Sequence, residues 1–285
     1  MKADFIPILI AYLAALVIAA IVIWLAPFGL LIKTLIADIA ATLVIFGFSR
    51  PYKNSSFYDA YWSIGPAVIA AYWFFMASPE IDTTRAVIVL ILVIWWAARL
   101  TLNWASHWEG MSHEDWRYQP IRDGAGKNEL WADLAGIHMF PTFIVFIACL
   151  PLYAVYQHGF QPFHWLDVFA LIVTAGAITI ETVSDIQLHK FIKTKKPGEF
   201  ITSGLWRYSR HPNYFGEWGY WAGLLFFGLA AYPAGWWWII PGALSILAMF
   251  IFVSIPLMDK RSLESRDGYD AHMKRVSGFV PWFSR

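Results

Sequence analysis

The chain alternates long apolar runs with short polar segments, and most of the runs have the length of a membrane-spanning helix. About 20 consecutive apolar residues form a helix that crosses the hydrocarbon core of a bilayer. Such windows lie at residues 5–25, 30–48, 61–77, 86–105, 133–155, 164–187, 216–232 and 236–257. The pattern predicts an all-α bundle of about eight transmembrane helices. Seven remain possible if the first or last pair, divided only by Pro27–Gly29 or Tyr232–Gly235, forms a re-entrant hairpin.

Composition and charge agree with this class of protein. With 59% hydrophobic and 14% charged residues in a chain of 285, there are too few polar groups to cover a soluble globule. Of the 21 Lys and Arg residues, Lys33 and Arg99 lie within spans and Arg85 lies on one side, so the other 18 share the opposite side. The positive-inside rule makes that side cytoplasmic, with both termini on it. The net charge of +1 gives no argument for a nucleic-acid partner.

One cytoplasmic loop, residues 188–215, is strongly basic. It carries six Lys or Arg residues and a single acid, Glu199. Cations beside a membrane also serve topology or bind anionic lipid, so their number alone does not identify a site. Their order is more informative, because Trp206 offers a flat face for a base while Arg210 and His211 offer donors to phosphate.

The end of this loop is predicted to begin a helix. Pro212 fixes the backbone so that Asn213 and Tyr214 lie near the helix N-terminus, where backbone donors and the helix dipole favour anions. No Gly-x-Gly-x-x-Gly motif follows a strand anywhere in the chain. The loop therefore predicts a dinucleotide site without a Rossmann fold.

Three segments resemble a known family. Gly204–Glu217 resembles the cofactor-binding signature of the membrane-embedded steroid 5-alpha reductase and sterol reductase superfamily, and the chain looks most like its uncharacterised bacterial, DUF1295-like branch. Glu181–Gln187 is similar to the helix end that meets the cofactor in those reductases, and Pro256–Trp282 to their C-terminal cap. The resemblance runs from about residue 99 to the end and is strongest from residue 181 onward.

The resemblance implies an NADPH-dependent reductase of a carbon-carbon double bond conjugated to a carbonyl group. Its substrate would be lipid-like, such as a steroid, sterol or isoprenoid, and its location the bacterial inner membrane with the cofactor loops in the cytoplasm. Residues 1–285 would form one membrane domain, with 1–130 as the substrate-side half and 131–285 as the NADPH-binding half. Membrane lipid is the other expected partner, and the oligomeric state is left open.

The resemblance also implies roles for individual residues. The nicotinamide and ribose region would contact Asp185, Trp206, Asn213 and Tyr214. The candidates for phosphate are Lys190, Lys193, Lys195, Arg210 and Arg266, with Asp259 and Tyr269 in the cap. This number of cations favours NADPH over NADH, because each added phosphate charge requires donors.

Carboxyl groups within the spans or at their ends are candidates for the proton donor. Reduction of an enone needs a donor or hydrogen bond at the carbonyl oxygen, where negative charge develops. Glu217 is the first candidate because it follows Asn213 by one helical turn, and Asp59 and Glu181 are the next. The reductases' own intramembrane glutamate has Asp59 as its nearest match here.

Two other intramembrane positions do not support a catalytic role. Asp38 is interpreted as one member of a helix pair with Lys33. The tyrosine that the steroid reductases place before a helix arginine is replaced here by Trp96. The substrate is therefore less well defined by the sequence than the cofactor.

Two further functions remain open. Isoprenylcysteine and phospholipid methyltransferases carry a run similar to Arg210-His211-Pro212, where it holds S-adenosylmethionine, although their paired glutamates are reduced here to Glu264. The third possibility is a non-enzymatic lipid-binding membrane protein. No metal is predicted, because His107 and His113 lack zinc or di-iron spacing. Glu114–Tyr118 is predicted to pack against the cofactor cap.

Overall fold

The computed structural model describes residues 5–283, and this part of the chain is helical with no named strand. The all-α prediction is confirmed. The helices are α1 (Phe5–Leu25), α2 (Leu30–Tyr52), α3 (Tyr61–Phe75), α4 (Thr83–His107), α5 (Tyr118–Ala125), α6 (Glu129–Ala132), α7 (Phe140–Ala148), α8 (Leu150–His158), α9 (Trp165–Ile192), α10 (Pro212–Ala231), α11 (Trp236–Met249), α12 (Ile255–Ser265) and α13 (Tyr269–Arg275). Two π-helical turns, Asp133–Met139 and Phe250–Ser254, join α6 to α7 and α11 to α12.

Among the described residues, six helical stretches are long and apolar enough to cross a membrane. They are Phe5–Leu25, Leu30–Tyr52, Thr83–His107, Tyr118–His158, Trp165–Ile192 and Pro233–Ser265. The remaining two predicted windows form α3 and α10, which are helical but do not belong to these six. The count of eight and the cytoplasmic orientation therefore stay predictions. Two of the cations behind that orientation, Lys2 and Arg285, lie outside the described residues.

The chain divides into two compact units. The first is Met1–Ala77 with Val93–Cys149, and the second is Ser78–Leu92 with Leu150–Arg285. Helix α4 contributes to both. The predicted halves, divided after residue 130, are not tested by this division.

In the first unit, α1 packs against α2 through small side chains. Ala11 and Ala15 are buried beside Ala41 and Ile45, so the two backbones approach closely. The Tyr12 hydroxyl donates to the Phe57 carbonyl oxygen at 2.8 Å, which ties α1 to the turn that precedes α3.

The segment Glu114–Tyr118 organises that same turn. The Glu114 carboxylate accepts from the Ser55 backbone N–H at 2.7 Å, and the Ser56 hydroxyl accepts from the Asp115 N–H at 3.0 Å. Glu114 also accepts from the Arg122 guanidinium, so the contacts described for this segment lie within the first unit. The predicted packing against the cofactor cap stays a prediction.

In the second unit, α9 and α10 meet along a row of glycines. Gly216, Gly219 and Gly223 share one face of α10, because they are three and four residues apart. A Cβ added to Gly219 would lie 2.9 Å from the Ala177 Cβ, which is closer than real side chains approach. The glycines therefore allow this close helix packing.

Arg85, which the sequence places in a polar connection, is completely buried in the second unit. Its guanidinium donates to both carboxylate oxygens of Asp167, at 2.6 and 2.8 Å, and to the Gln161 and Pro162 carbonyl oxygens. Because these acceptors surround it, the charge is fully compensated. Arg85 is a structural residue as well as a topological signal.

The C-terminal segment returns to the loop before α10. The Ser209 hydroxyl donates to the Phe279 carbonyl at 2.8 Å, and the Arg210 N–H donates to the Ser277 carbonyl at 2.8 Å. The Trp282 N–H donates to the Tyr208 carbonyl at 2.9 Å. These bonds hold the end of the described chain against the basic loop.

Candidate functional site

The loop between α9 and α10 is anchored on the end of α9. Gly204 has a positive φ of 62°, and a Cβ there would collide with the Gln187 side chain. Gln187 in turn accepts from the Leu205 N–H at 2.9 Å. The Trp206 indole N–H donates to the Ser184 carbonyl at 3.0 Å. The side chains that follow are therefore held in fixed positions.

Helix α10 begins at Pro212, as the sequence predicts, and four polar residues meet just before and beyond it. We call Arg210, His211, Asp259 and Tyr269 the Asp259 cluster. Arg210 donates to the two Asp259 carboxylate oxygens at 3.1 and 2.6 Å, and both side chains are less than one tenth exposed. His211 Nε2 and the Tyr269 hydroxyl each lie 3.1 Å from Asp259 Oδ1.

Arg210 also holds the cap through the backbone. Its Nη1 atom donates to the Val276 carbonyl at 2.6 Å and to the Met273 carbonyl at 3.2 Å. The guanidinium is therefore largely occupied by Asp259 and by carbonyl groups. This gives Arg210 a structural role, and its contact with a phosphate stays a prediction.

The charges of the cluster act on its neighbours. Burial, and next the charge of Asp259, raises the pKa of the Tyr269 phenol. Burial lowers the pKa of the His272 imidazole, and Arg210 and Arg275 lower it further. Both side chains therefore favour their neutral forms.

A cavity of about 120 Å³, which we call the polar cavity, lies beside the Asp259 cluster. The predicted cofactor residues that line it are Trp206, Arg210, His211, Asn213, Tyr214, Arg266 and Tyr269. The sequence did not indicate the remaining lining residues, which are Leu188, Phe200, Ile201, Met258, Ser262 and His272. Most of these are apolar, and no motif separates them from ordinary packing residues.

The other predicted cofactor residues do not line this cavity. Lys190, Lys193 and Lys195 are exposed at and beyond the end of α9, and Asp185 is half-buried one turn earlier. Asp259 contacts the lining residues rather than the cavity itself. Only part of the predicted set therefore converges on one place.

Two features of the polar cavity are suited to a flat ligand with a polar group. The His211 and Tyr214 rings stack at 5.3 Å with an angle of 9°, and Tyr214 stacks on Phe250 at 4.9 Å. Asn213 Oδ1 is buried and has no hydrogen-bond partner among residues 5–283. A buried acceptor on a cavity wall is available to a bound ligand or a water.

The first unit contains a larger cavity of about 290 Å³, which we call the apolar cavity. Helices α1, α2 and α3 line it with Leu9, Tyr12, Leu13, Ala15, Leu16, Ala19, Ile23, Thr34, Ala37, Asp38, Ala41, Tyr61, Ile64, Gly65, Val68, Ile69 and Tyr72. Its only charged lining residue is Asp38, which accepts from the Tyr61 hydroxyl at 2.9 Å. The carboxyl group of Asp38 thus lies in a mainly apolar lining whose other polar side chains are the hydroxyl groups of Tyr12, Thr34, Tyr61 and Tyr72.

This arrangement corrects the interpretation of Asp38 as one member of a pair with Lys33. No ion pair joins these two side chains in the described part of the chain, and the partner of Asp38 is Tyr61. Residues five apart do not share a helix face as residues three or four apart do. The sequence did not identify Asp38 as a candidate, because Tyr61 is 23 residues away.

The three predicted proton donors lie elsewhere. Asp59 accepts from the Tyr118 hydroxyl and is not a lining residue of the apolar cavity, and burial raises its pKa to about 6. Glu217 is buried and accepts from the Trp221 indole N–H at 2.8 Å. Glu181 is buried on α9 opposite Gly216. Neither glutamate lines the polar cavity, and all three roles stay predictions.

Comparison with known proteins identifies a family for this chain. The family model described as "Protein of unknown function (DUF1295)" matches residues 45–276, which is most of the chain. The chain belongs to the DUF1295 family. The DUF1295 match includes every lining residue of the polar cavity, but it begins after Asp38.

One similar protein of this kind is found in yeast. The chain is 26% identical over 279 residues to Uncharacterized protein C594.04c of Schizosaccharomyces pombe, covering 89% of this chain and 78% of the yeast protein. No solved structure matches the chain significantly. The predicted DUF1295 membership is thus confirmed, while the bacterial branch stays a prediction.

Proposed function

We propose that this DUF1295 protein is an integral-membrane reductase that uses NADPH to reduce a carbon-carbon double bond conjugated to a carbonyl group. The observation that carries the proposal is Asn213 Oδ1, which is buried without a partner on the wall of the polar cavity. An amide oxygen accepts hydrogen bonds, and the carboxamide of a nicotinamide ring offers two N–H donors. The resemblance to steroid 5-alpha reductases supports the same cofactor.

The size of the polar cavity limits which part of the cofactor it would hold. Its volume of about 120 Å³ is below the roughly 300 Å³ at which sites for whole small molecules begin. It suits a single ring, which would lie beside His211 and Asn213. The phosphate groups would be held by the exposed cations of the basic loop, Lys190, Lys193 and Lys195 among them. NADPH, when bound, supplies the hydride.

The apolar cavity is suited to the substrate. Its volume of about 290 Å³ is close to that of ordinary ligand sites. Leu13 and Val68 line it and are also exposed on the outer face of the unit, so an apolar molecule could enter from the bilayer. In its protonated form, Asp38 would donate the hydrogen bond that a carbonyl oxygen needs as negative charge develops on it, while Tyr61 donates to Asp38 Oδ1. We therefore assign to Asp38 the role that the sequence suggested for Glu217.

Equilibrium binding to the detergent-purified protein tests the proposal. NADPH should bind more tightly than NADH, because the loop offers more cations than two phosphates require. Binding of S-adenosylmethionine in place of NADPH would overturn the reductase and support a methyltransferase. Binding of neither would leave the lipid-binding protein as the remaining function.

A further inference from the structure

The second unit contains a further pocket of about 450 Å³, which we call the C-terminal pocket. It is lined by Arg210, residues 273–278, Val280, Trp282 and Phe283. Arg210 also lines the polar cavity, and the two linings share no other residue. The volume of the C-terminal pocket is in the range of ordinary ligand sites.

The lining of the C-terminal pocket is basic. Lys274 and Arg275 join Arg210 in it, and none of its lining residues is acidic. Lys274 pairs with Asp270 at 3.9 Å, but both side chains are exposed, and such pairs contribute little. Arg275 donates through Nε to the Ala271 carbonyl at 3.3 Å, and its two Nη groups have no partner within residues 5–283. The pocket therefore has positive charge that its own residues do not neutralise.

Arg210 has one donor left for this pocket. A guanidinium carries five N–H groups, and Asp259 with the Met273 and Val276 carbonyls accepts four of them. The fifth is on Nη2. A Cβ added to Gly278, which also lines the pocket, would lie 3.1 Å from Nη2, so the missing side chain leaves this N–H uncovered. A charged N–H of this kind is a strong donor to an anion.

The rim of the C-terminal pocket is apolar and exposed. Val280, Trp282 and Phe283 are 52%, 66% and 77% exposed. The neighbouring Phe279 ring packs on Phe215 near the start of α10 at 5.7 Å, so the segment lies where this helix begins. Exposed aromatic residues beside Lys and Arg are typical of the membrane–water interface. A water-soluble anion would have no use for such a rim, whereas a lipid would.

We propose that the C-terminal pocket binds the phosphate group of an anionic membrane lipid. The phosphate would accept from Arg210, Lys274 and Arg275, and the apolar rim would contact the acyl chains. Clusters of Lys and Arg at a membrane surface attract anionic lipids in this way. Because Arg210 also holds Asp259, the bound lipid would stabilise the Asp259 cluster. This inference does not depend on the proposed reductase activity.

The chain offers a matched control for the charge of Lys274. Lys260 on α12 is also exposed and is also 3.9 Å from an acid four residues away, Glu264. Lys274→Gln and Lys260→Gln therefore remove the same charge from similar surroundings, but only Lys274 lines the pocket. Both side chains are exposed, so neither variant should lose its fold.

Short-chain phosphatidylglycerol, titrated into the detergent-purified full chain, is the ligand to use, and native mass spectrometry counts the bound molecules. We expect Lys274→Gln and Arg275→Gln each to weaken its binding about fivefold, which corresponds to about 1 kcal/mol per cation. Lys260→Gln should bind it as the wild-type protein does. Gly278→Ala keeps the charge but covers the Arg210 donor, and should weaken binding about tenfold.

Two results with phosphatidylglycerol would overturn the lipid site: unchanged binding in both Lys274→Gln and Arg275→Gln, or equal weakening in Lys260→Gln, which indicates a general attraction to the surface. NADPH affinity, measured on the same samples, separates the other source of phosphate. If the pocket variants weaken NADPH and not phosphatidylglycerol, the pocket holds the phosphates of the cofactor and the lipid proposal is wrong. A wild-type protein that binds phosphatidylglycerol as expected but does not bind NADPH supports the lipid site and refutes the reductase alone.

Discussion

Each unit places a carboxylate beside a cavity, and the two carboxylates differ in how many partners they have. Asp259 in the second unit accepts from Arg210, His211 and Tyr269, which fill most of its acceptor capacity. Asp38 in the first unit accepts from Tyr61 through its carboxylate. In its protonated form Asp38 also has an O–H to donate, whereas the acceptor capacity of the Asp259 carboxylate is largely used by its three partners. We infer that Asp259 maintains the structure of the second unit, whereas Asp38 is available to take part in a reaction.

The largest effect should come from removing Asp259. Asp259→Ala leaves the Arg210 guanidinium buried without its carboxylate, and breaking a buried ion pair in this way costs about 3 to 5 kcal/mol. We expect a marked fall in the thermal midpoint of the protein in detergent. Limited proteolysis should also cut the chain on the C-terminal side of residue 259 sooner than it does in the wild-type protein. Glu264→Ala on the same helix is the control, since Glu264 and Lys260 are exposed and 3.9 Å apart. Equal midpoints for the two variants would remove the structural role of Asp259.

Asp38→Asn should instead lower activity and leave stability almost unchanged. The amide oxygen can still accept from Tyr61, so the thermal midpoint should hardly change, but the side chain can no longer supply a proton. We expect turnover of an accepted enone to fall about 100-fold, the lower range for loss of a general acid. NADPH oxidation measures this loss. Wild-type turnover in Asp38→Asn would mean that the apolar cavity is not the reaction site.

Two asparagines provide a second comparison, between a buried group that has no hydrogen-bond partner and one that is fully hydrogen-bonded. Asn213→Ala removes an unpartnered buried oxygen, so stability should not fall, whereas NADPH affinity should weaken about tenfold, the equivalent of one hydrogen bond of about 1.4 kcal/mol. Titration calorimetry and thermal unfolding report the two quantities separately.

Asn54→Ala in the first unit is the matched comparison. Asn54 donates to the Met111 and His113 carbonyls at 2.9 Å and accepts from the Ser56 N–H. Its loss should lower the thermal midpoint. If Asn213→Ala instead destabilised the protein and left NADPH affinity unchanged, Asn213 would be a structural residue and the main support for the cofactor site would be lost.

The smallest expected effect is a pH response of opposite sign in the two units. Burial raises the Asp59 pKa to about 6 from an ordinary 3.8. The contribution of this group to the free energy of unfolding is therefore fully present below about pH 4 and is lost as the pH rises through 6. Burial lowers the His272 pKa below 6.5, so its contribution is present above that pH and is lost on acidification.

Thermal midpoints measured from pH 4 to pH 8 in the variants Asp59→Asn and His272→Gln would test this pair of signs, because each substitution abolishes one titration. The thermal midpoint of the wild-type protein minus that of Asp59→Asn should decline as the pH rises. The thermal midpoint of the wild-type protein minus that of His272→Gln should increase as the pH rises. Curves of the same sign would show that at least one of these groups is not titrating in the environment described.

The features that the sequence predicts well are those encoded in adjacent residues. The apolar windows became helices, and Pro212 became the first residue of α10. The basic loop places Trp206, Arg210 and Asn213 on one cavity because they lie within eight positions of one another and Trp206 is anchored on α9. Local propensity and turn chemistry are sufficient for such features.

The features that the sequence could not predict depend on contacts between distant residues. Asp38 meets Tyr61 across 23 residues, and Arg210 meets Asp259 across 49. The fifth and last spans also contain π-helical turns, at Asp133–Met139 and Phe250–Ser254, which apolar periodicity does not reveal. Hydropathy indicates that a segment is buried, but it does not say which buried groups will face each other.

The bonds between the C-terminal segment and the loop before α10 have a consequence for biosynthesis. Ser209 and Phe279, which are hydrogen-bonded, are 70 residues apart. At about 5 to 20 residues per second, the loop leaves the ribosome several seconds before its partner exists. Asp259 is synthesised 49 residues after Arg210, so Arg210 and His211 lack their carboxylate partner for the first part of that interval. Assembly of this site therefore waits until residue 279 has been synthesised, and a change near residue 279 would disturb a loop that was made about 70 residues earlier.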